Sequence, residues 1–421
     1  MASDSLPAPT AYHRLPIRIV NKVLAVANKA GLATVDLSAD ALMRQAREDT
    51  GLSHFGDDGF CDRLQVLSQS LRDEARLNPI GQRLQKQAIV RILKHRLYAE
   101  DWFAKHPEIL DRELADPIVV MGLARSGTTR LHRLLASDPR FLHLKAWESI
   151  NPVPWPECDL PPGNDDPRIA DIDKGLKAVL YMSPQIASVH PLGTLKVEEE
   201  VGLIQHGISS QLFEVQARIP SFANYLMAHD QDEAYRYMLK LLKLISWQRG
   251  DDTSKPWVLK TPQHMQDLDA LMRVFPKAKL IFSHRDPVKV IGSICSMTWN
   301  SMVRDTNTLD PHWIGEEWLN KAEQMLRKVQ TLRAEHIPAE QCLDVYYREL
   351  SDDWQSVMQD IYNFIGYPLE PALPSMSAWL SSNAQHKHGV HRYQLSDFGL
   401  SEQSVESRLG FYRDAYSIAK E

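Results

Sequence analysis

Cysteine is scarce in this sequence of 421 residues, and the cysteines that occur are far apart. They are Cys61, Cys158, Cys295 and Cys342. None has the close pairing of a zinc-binding motif, and nothing in their spacing resembles a disulfide framework. Such isolated cysteines are typical of reduced thiols in the cytoplasm. The sequence therefore predicts a cytoplasmic protein without a structural metal.

The sequence also lacks a basic excess and a long apolar run. It has 48 Lys and Arg against 54 Asp and Glu, which gives a net charge of -6. This balance provides no global field for nucleic acid or an anionic membrane, so any basic site must be local. The apolar stretch at 239–245 is interrupted by Lys240 and Lys243, and residues 1–12 lack the basic and apolar regions of a signal peptide. We expect no membrane insertion, no export and no nucleic-acid partner.

The hydrophobic pattern changes near residue 116. From about residue 15 to residue 110, apolar residues recur at helical spacing with little sign of strands. After Pro117, four short apolar runs are each followed by a helical pattern. The runs are 118–121, 257–259, 280–282 and 343–346. This alternation predicts an α/β fold with a central parallel sheet flanked by helices.

The same change of pattern suggests how the chain is organised. Residues 1–115 are predicted to form a helical N-terminal region, and residues 116–421 an α/β domain. Within that domain, helical patterns at 198–208 and 233–246 predict a helical insertion at about residues 150–250. We expect the insertion to wall a ligand pocket.

The segment after the first predicted strand has the composition of an anion-binding loop. It runs Gly122-Leu123-Ala124-Arg125-Ser126-Gly127-Thr128-Thr129. The two glycines permit a tight backbone path, and the two threonine hydroxyls add donors where a helix begins. Thr128 stands where a nucleotide triphosphatase loop has its Lys, and no predicted strand ends in an Asp that would hold magnesium. The loop indicates an anion site and makes ATP hydrolysis the weaker interpretation.

A second polar motif follows the third predicted strand. It runs His284-Arg285-Asp286-Pro287 and is followed by Ser293 in the next predicted helix. The Arg lies at the strand end, and the Ser lies two to three helical turns further along. Both side chains can therefore reach one further phosphate.

Together, the two motifs resemble those of sulfotransferases that use 3′-phosphoadenosine-5′-phosphosulfate (PAPS), in particular the bacterial-type members. The resemblance covers about residues 117–400. It implies a P-loop-like three-layer fold and transfer of a sulfuryl group from PAPS to a hydroxyl or amine, without a metal. The product nucleotide is then adenosine 3′,5′-bisphosphate.

The resemblance also implies roles for single residues. The 5′-phosphosulfate is assigned to Arg125, Ser126, Gly127, Thr128 and Thr129. The 3′-phosphate is assigned to Arg285 and Ser293. In the segment 343–350, which is similar to a further family motif, Tyr347 is expected beside the adenine. Arg392, in a C-terminal segment that also resembles these proteins, is expected to add charge near the nucleotide.

A catalytic segment is predicted directly after the second strand. Lys260-Thr261-Pro262-Gln263-His264 lies at the carboxyl edge of the sheet, where ligands bind in such folds. It resembles a family segment in which Lys assists the leaving group and His is the base, which nominates Lys260 and His264. Two rival bases remain open, namely a Glu of 198–200, of which we select Glu199, and His190.

The acceptor is expected to be a small, partly apolar molecule, but the sequence does not identify it. Aromatic and Met residues that could line its pocket are Trp155, Tyr181, Met182, Phe213, Phe222, Tyr225, Met297, Trp299 and Met302. Such residues more often belong to a core. Two alternative functions remain, a P-loop kinase or other phosphotransferase and a catalytically silent nucleotide-binding protein. The sequence does not indicate an oligomeric state.

Overall fold

The computed structural model describes residues 6–156, 158, 160–189, 193–383 and 393–421. Among the described residues before the first strand, the regular elements are helices, as the hydrophobic pattern predicts. They are α1 (Leu15–Lys29), α2 (Ala39–Thr50), α3 (Phe60–Asp73), α4 (Pro79–Lys105) and α5 (Glu108–Asp111). Within these described ranges, no helix is both long and apolar enough to cross a membrane.

Four parallel strands form the sheet in the described part of the chain. They are β1 (Ile118–Met121), β2 (Val258–Lys260), β3 (Lys279–His284) and β4 (Cys342–Tyr346). Their order is β2-β1-β3-β4, with Val119 paired to Leu259 on one side and to Leu280 on the other. The chain therefore leaves β1 towards one side of the sheet and later returns to its other side. The carboxyl end of β1 is thus a topological switch point, where α/β proteins bind ligands.

The remaining helices flank the sheet or belong to the insertion. Between β1 and β2 lie α6 (Thr128–Leu135), α7 (Ala146–Ile150), α8 (Pro167–Met182), α9 (Ile186–Val189), α10 (Val201–Ile204), α11 (Gln211–Gln216), α12 (Pro220–Ala228) and α13 (Asp232–Arg249). After β2 come α14 (Leu268–Val274), α15 (Pro287–Met302), α16 (Pro311–Glu335), α17 (Tyr347–Asp352), α18 (Trp354–Ile365), α19 (Leu373–Ser382) and α20 (Glu402–Ala415). Short 3-10 helices occur at Pro9–Tyr12, Gln205–Gly207, Pro262–Met265, Ala339–Gln341, Glu370–Ala372 and Leu395–Phe398.

Two apolar cores cover the two faces of the sheet. Successive residues of a strand point to opposite faces. Val119 and Met121 accordingly pack with α13–α16 and α20 in one core. Ile118 and Val120 pack with α6, α18 and α19 in the other. The result is the three-layer arrangement predicted above. Burial on both faces explains the continuous apolar runs of β1 and of residues 280–282 in β3.

The N-terminal helices share a third core with part of the insertion. Residues of α2, α3 and α4 pack there against Phe213 and Phe222, from α11 and α12. The two parts of the chain are therefore joined by apolar packing, and the proposed division at residues 115 and 116 stays a prediction. The four cysteines form no disulfide with one another and lie in different places in the fold.

The predicted helix at 198–208 differs from the structure. Its helical part begins only at Val201, and it ends at Ile208, which has a φ of 51°. Val197 instead forms an isolated antiparallel bridge with Lys145, so the acidic residues after it follow an extended segment. The acidic cluster therefore does not form a solvated helical turn, and two of its carboxylates reach the carboxyl end of β2.

Candidate active site

The loop after β1 turns sharply into α6. Gly127 has a φ of 94°, and a Cβ added there would lie 2.6 Å from the ring of Tyr347. A Cβ at Gly122 would lie 2.5 Å from the carbonyl oxygen of Ser283. Both positions therefore require glycine. No described side chain caps the start of α6, which leaves N–H groups of its first turn for an anion.

Arg125 joins this loop to the second motif. Its φ of 75° is rare for a residue with a side chain and indicates backbone strain. Its Nε donates to Ser293 Oγ at 2.9 Å, and its carbonyl oxygen accepts from Arg285 Nη1 at 3.0 Å. Burial and the nearby charge of Arg285 lower the pKa of Arg125. The two motifs thus meet in one place and bring two guanidinium groups together.

Tyr347 lies between the loop at 122–129 and Arg285. The guanidinium carbon of Arg285 is 3.9 Å from the centroid of the Tyr347 ring, which also packs against Gly127. The Nε and Nη2 groups of Arg285 donate to the side-chain carboxylate of Glu421, with 2.8 Å between Nη2 and Oε2. The Arg285 fork therefore already holds a planar anion in this structure. The predicted contact of Tyr347 with adenine stays a prediction.

Lys260 lies at the end of β2, with its side chain buried. Its ammonium group contacts the Glu199 carboxylate and lies 3.3 Å from Thr129 Oγ1. The backbone N–H of Lys260 donates to Glu200 Oε2 at 2.9 Å. A cation, a carboxylate and the hydroxyl of Thr129 therefore converge beside the start of α6.

His264 is fully buried, and both of its ring nitrogens have partners. Nε2 lies 2.5 Å from Glu200 Oε1, and Nδ1 lies 2.9 Å from the hydroxyl of Tyr235. Burial would raise the pKa of Glu200, but the hydrogen bond and charge of His264 and the N–H of Lys260 outweigh it, so the pKa lies below its ordinary value. Glu200 therefore stays ionised and holds the histidine on one side.

The charge of the buried Lys260 affects a neighbouring histidine, His132. It lies on α6, one turn after the start of that helix, and is 1% exposed. Burial and the charge of Lys260 lower its pKa to about 3. His132 is therefore neutral at physiological pH, and it adds no second charge next to Lys260.

For three of the predicted site residues, the assigned role stays a prediction. Ser126 is buried, its Oγ lies against Gly122, and in the described chain this atom has no hydrogen-bond partner. A direct contact of its hydroxyl with a ligand stays a prediction. His190 and Arg392 lie outside the described residues.

Sequence reasoning missed several neighbours of the site. It did not single out Tyr235 or His132, and it placed Glu200 in a helix start rather than between Lys260 and His264. Only the acidic run before an apolar segment signalled Glu200, and that run also fits a helix N-terminus. No local pattern marks Tyr235, because its hydroxyl reaches His264 from the first turn of α13, a contact that depends on the tertiary fold.

Four of the nine suggested acceptor-pocket residues belong to cores. Phe213 and Phe222 pack with the N-terminal helices, and Trp299 and Met302 pack beside the sheet. Trp155 instead lines a cavity of about 590 Å³ between α2, α4 and α8. Aromatic content alone therefore did not locate a pocket.

A model of the sulfotransferase family matches residues 117–371, which include the loop at 122–129, the motif at 284–293 and the Lys260 segment. The chain belongs to the sulfotransferase family. The matched range covers the four strands and the residues that converge at their carboxyl ends. The family resemblance inferred from the motifs is therefore confirmed.

Two solved sulfotransferases have similar structures. The sulfotransferase STF1 of Mycobacterium tuberculosis H37Rv is 28% identical, with a TM-score of 0.76 over 90% of this chain and 100% of that chain. STF9 of Mycobacterium avium is 25% identical, with a TM-score of 0.80 over 91% of this chain and 98% of that chain. Both coverages extend beyond the family match, so the sulfotransferase similarity includes much of the N-terminal region.

A curated sulfotransferase is also similar in sequence. The omega-hydroxy-beta-dihydromenaquinone-9 sulfotransferase Stf3 of Mycobacterium bovis is 24% identical over 299 residues. The alignment covers 68% of this chain and 72% of that protein. The Mycobacterium tuberculosis protein of the same name matches to the same extent. Sulfuryl transfer is thus the activity of the similar proteins.

Proposed function

We propose that this sulfotransferase moves a sulfuryl group from PAPS to a hydroxyl of a small, partly apolar acceptor. The products are a sulfate ester and adenosine 3′,5′-bisphosphate. The observation that carries the proposal is the position of Lys260, whose ammonium group contacts both Glu199 and Thr129. That contact joins a phosphate loop to a cation and a carboxylate, which are the groups that sulfuryl transfer needs.

The anion-binding groups support a donor with two separate phosphate positions. The first-turn N–H groups of α6 and Arg125 would hold the 5′-phosphosulfate, and Arg285 and Ser293 would hold the 3′-phosphate. Charge-assisted hydrogen bonds from a guanidinium suit both anions. Thr128 stands in place of the lysine of a nucleotide triphosphatase loop, which weighs against transfer of a γ-phosphate.

Lys260 and Glu199 have complementary roles in the proposed reaction. The acceptor oxygen attacks the sulfur of PAPS while the bond between sulfur and the bridging phosphate oxygen breaks. The Glu199 carboxylate takes the proton of the acceptor hydroxyl. Lys260 stabilises the negative charge that develops on the bridging oxygen of the leaving nucleotide. When PAPS binds, the ammonium group of Lys260 turns from Glu199 towards the leaving phosphate. The Glu199 carboxylate is then available to the acceptor hydroxyl.

His264 acts in this proposal as a positioning residue and not as the base. Both of its nitrogens are engaged inside the protein, by Glu200 and Tyr235. Glu200 in turn accepts the backbone N–H of Lys260, so the chain of contacts orients the end of β2. Glu199 is more exposed than His264, with 17% of its side chain accessible, and is better placed to meet an acceptor.

The acceptor class follows from the similar proteins and stays a proposal. Stf3 is named for a hydroxylated menaquinone, a lipid-like molecule with a terminal hydroxyl. We therefore place hydroxylated prenyl quinones first in a panel that also contains phenols and sterols. That the four cysteines form no disulfide with one another is compatible with a reducing cytoplasm.

The decisive experiment is calorimetric titration of the purified protein with adenosine 3′,5′-bisphosphate and, separately, with ATP and magnesium. The proposal predicts tight binding of the bisphosphate and weaker binding of ATP. Preferential binding of ATP would favour the kinase alternative. Turnover with PAPS and the acceptor panel separates an active enzyme from a silent nucleotide-binding protein, since the latter binds the bisphosphate but forms no sulfate ester.

A further inference from the structure

Helix α1 has its apolar side chains on the outside. Leu15, Ile19, Val23 and Val26 are 68%, 53%, 61% and 70% exposed. Their spacing of four, four and three residues places them on one face of the helix. Leu32, just beyond the helix, is 83% exposed and extends the apolar surface. We name the four helical residues the outer stripe.

The opposite face of α1 is held to the protein by polar contacts. Asn21 is buried there, and its Oδ1 accepts the backbone N–H of Ile80 at 3.0 Å, at the start of α4. Just before the helix, the His13 ring contacts the Val303 carbonyl oxygen at 2.6 Å. These contacts fix which face of α1 packs against the protein. The outer stripe, on the opposite face, is therefore exposed to solvent. Contiguous exposed apolar surface of this kind is uncommon unless it has a partner.

Positive charge accompanies the outer stripe. Between residues 14 and 32 the sequence contains Arg14, Arg18, Lys22 and Lys29 and no Asp or Glu. Arg18, Lys22 and Lys29 each follow a stripe residue by three positions, so they lie along one edge of the stripe. The chain as a whole has a net charge of -6, which makes this cationic helix a local exception.

We propose that α1 docks on the surface of an anionic lipid bilayer. An apolar stripe bordered by Lys and Arg is the pattern of a helix that lies in the membrane interface. At 15 residues, α1 is about 22 Å long, which is too short to span a hydrocarbon core of about 30 Å. The helix therefore lies in the plane of the bilayer, with the outer stripe in the acyl boundary and the cations at the headgroups.

The docking helix is connected to the candidate active site. Tyr12, just before α1, lies with its ring centroid 6.2 Å from that of Trp299 on α15. The same α15 carries Ser293, which accepts from Arg125. The start of α1 thus packs, through Tyr12, on the helix that carries Ser293, about two turns further along that helix. If the proposed function is correct, this position would suit an acceptor dissolved in the membrane.

The test is flotation of the full-length protein with lipid vesicles. Vesicles of phosphatidylcholine alone are compared with vesicles that also contain phosphatidylglycerol, at low and high salt. We expect binding to the anionic vesicles, weakened by salt because the headgroup attraction is screened. The assay measures binding without PAPS or an acceptor, so its failure does not depend on the proposed sulfuryl transfer.

Matched variants make the test specific to α1. Replacing Ile19 and Val23 together by Ser should lower the bound fraction at least about tenfold, and Lys22→Glu should lower it several-fold. The control is Arg348→Glu, which makes the same charge change at a side chain that is 70% exposed on α17. This control should bind like the unaltered protein. Circular dichroism should be unchanged in all variants, since the altered side chains face outwards.

Other outcomes would overturn the proposal. Equal losses in Lys22→Glu and Arg348→Glu would show that net charge alone determines binding. Absence of binding to anionic vesicles would reject the membrane as the partner. If sedimentation then showed a dimer that Ile19→Ser/Val23→Ser dissociates, the outer stripe would be covered by a second copy of the chain instead.

Discussion

Arg285 holds the side chain of Glu421 in a two-pronged contact. Its Nε lies 3.0 and 3.1 Å from the two carboxylate oxygens, and its Nη2 lies 2.8 Å from one of them. The backbone N–H of Glu421 donates to Asp286 at 2.8 Å, which fixes this end of the contact. A guanidinium holds phosphate with the same fork geometry. Under the proposed function, the 3′-phosphate and Glu421 compete for one group.

The first prediction concerns this competition. Glu421→Gln should strengthen binding of adenosine 3′,5′-bisphosphate by about three- to tenfold, because the nucleotide no longer displaces a carboxylate from Arg285. Calorimetry measures the change. The control is Glu335→Gln, which removes the same charge at a side chain that is 61% exposed. Equal affinities of the Glu421 variant and the unaltered protein would contradict the competition.

Replacement of Lys260 should impair chemistry more than binding. Lys260→Met keeps the length of the side chain but removes the charge that the leaving nucleotide needs. We expect kcat to fall by about a hundredfold to a thousandfold, with bisphosphate affinity changed less. Lys177→Met, at a side chain that is 75% exposed, serves as the control. Full turnover in Lys260→Met would remove this residue from the mechanism.

Paired variants distinguish the two candidate bases. If Glu199 accepts the proton, Glu199→Gln should lower kcat by about a hundredfold or more while bisphosphate binding persists. His264→Gln should then cost less turnover, and the pH profile of kcat should keep its shape, because the ionising base is unchanged. The opposite ranking, with the acidic limb of the profile lost in His264→Gln, would restore the histidine as base.

The glycine at the start of α6 offers a geometric test. Gly127→Ala should weaken bisphosphate binding by about tenfold or more, since the new Cβ would lie 2.6 Å from the Tyr347 ring and displace it or the loop. Gly250→Ala is the matched control, because Gly250 also has a positive φ but its Cβ would meet nothing within 4 Å. Both variants should lose some stability from backbone strain, and only the first should lose affinity.

Asp267 should make stability depend on pH. Burial raises its pKa to about 6, although the hydrogen bond from Gln263 opposes the shift. The folded state thus binds a proton more tightly than the unfolded state does, and the free energy of unfolding falls as pH rises from about 4 to about 6. Asp267→Asn removes this loss and should gain roughly 2 to 3 kcal/mol at pH 7.

Urea unfolding at several pH values measures this effect. Asp352→Asn, at a side chain that is 72% exposed, provides the control and should follow the unaltered protein. A gain at pH 7 that persists unchanged below pH 4 would show that the substitution acts through packing rather than through ionisation.

The strands and the glycine-containing loop at 122–129 were predictable because their sequence signals are local. A strand buried on both faces must be apolar along its whole length, so 118–121 and 280–282 stand out in the sequence. A loop that passes against Tyr347 needs glycine, and a helix N-terminus that meets an anion favours small residues with hydroxyls. Each requirement acts within a few neighbouring positions, and therefore leaves a short motif.

The sequence contains weaker signals for the rotation and placement of other elements. The acidic run at 198–200 fits a helix start, yet the helix begins only at Val201, and Glu199 and Glu200 reach the end of β2. The apolar residues of α1 also have ordinary helical spacing, which predicts a helix but not that its apolar face is turned outwards. Which face packs inwards depends on partners such as the backbone at Ile80, which is distant in sequence.

The sequence by itself determined the order of strands and helices, and its motifs at 122–129 and 284–293 indicated the family to which the chain belongs. Tertiary structure alone decided how the catalytic candidates meet. Thr129 is 131 residues from Lys260, and Glu199 is 61 residues from it, yet all three converge at the end of β2. Parallel strands bring their carboxyl ends to one edge, and packing then sets which side chains are buried and paired. Motifs reflect local backbone needs, whereas burial and pairing depend on the whole fold.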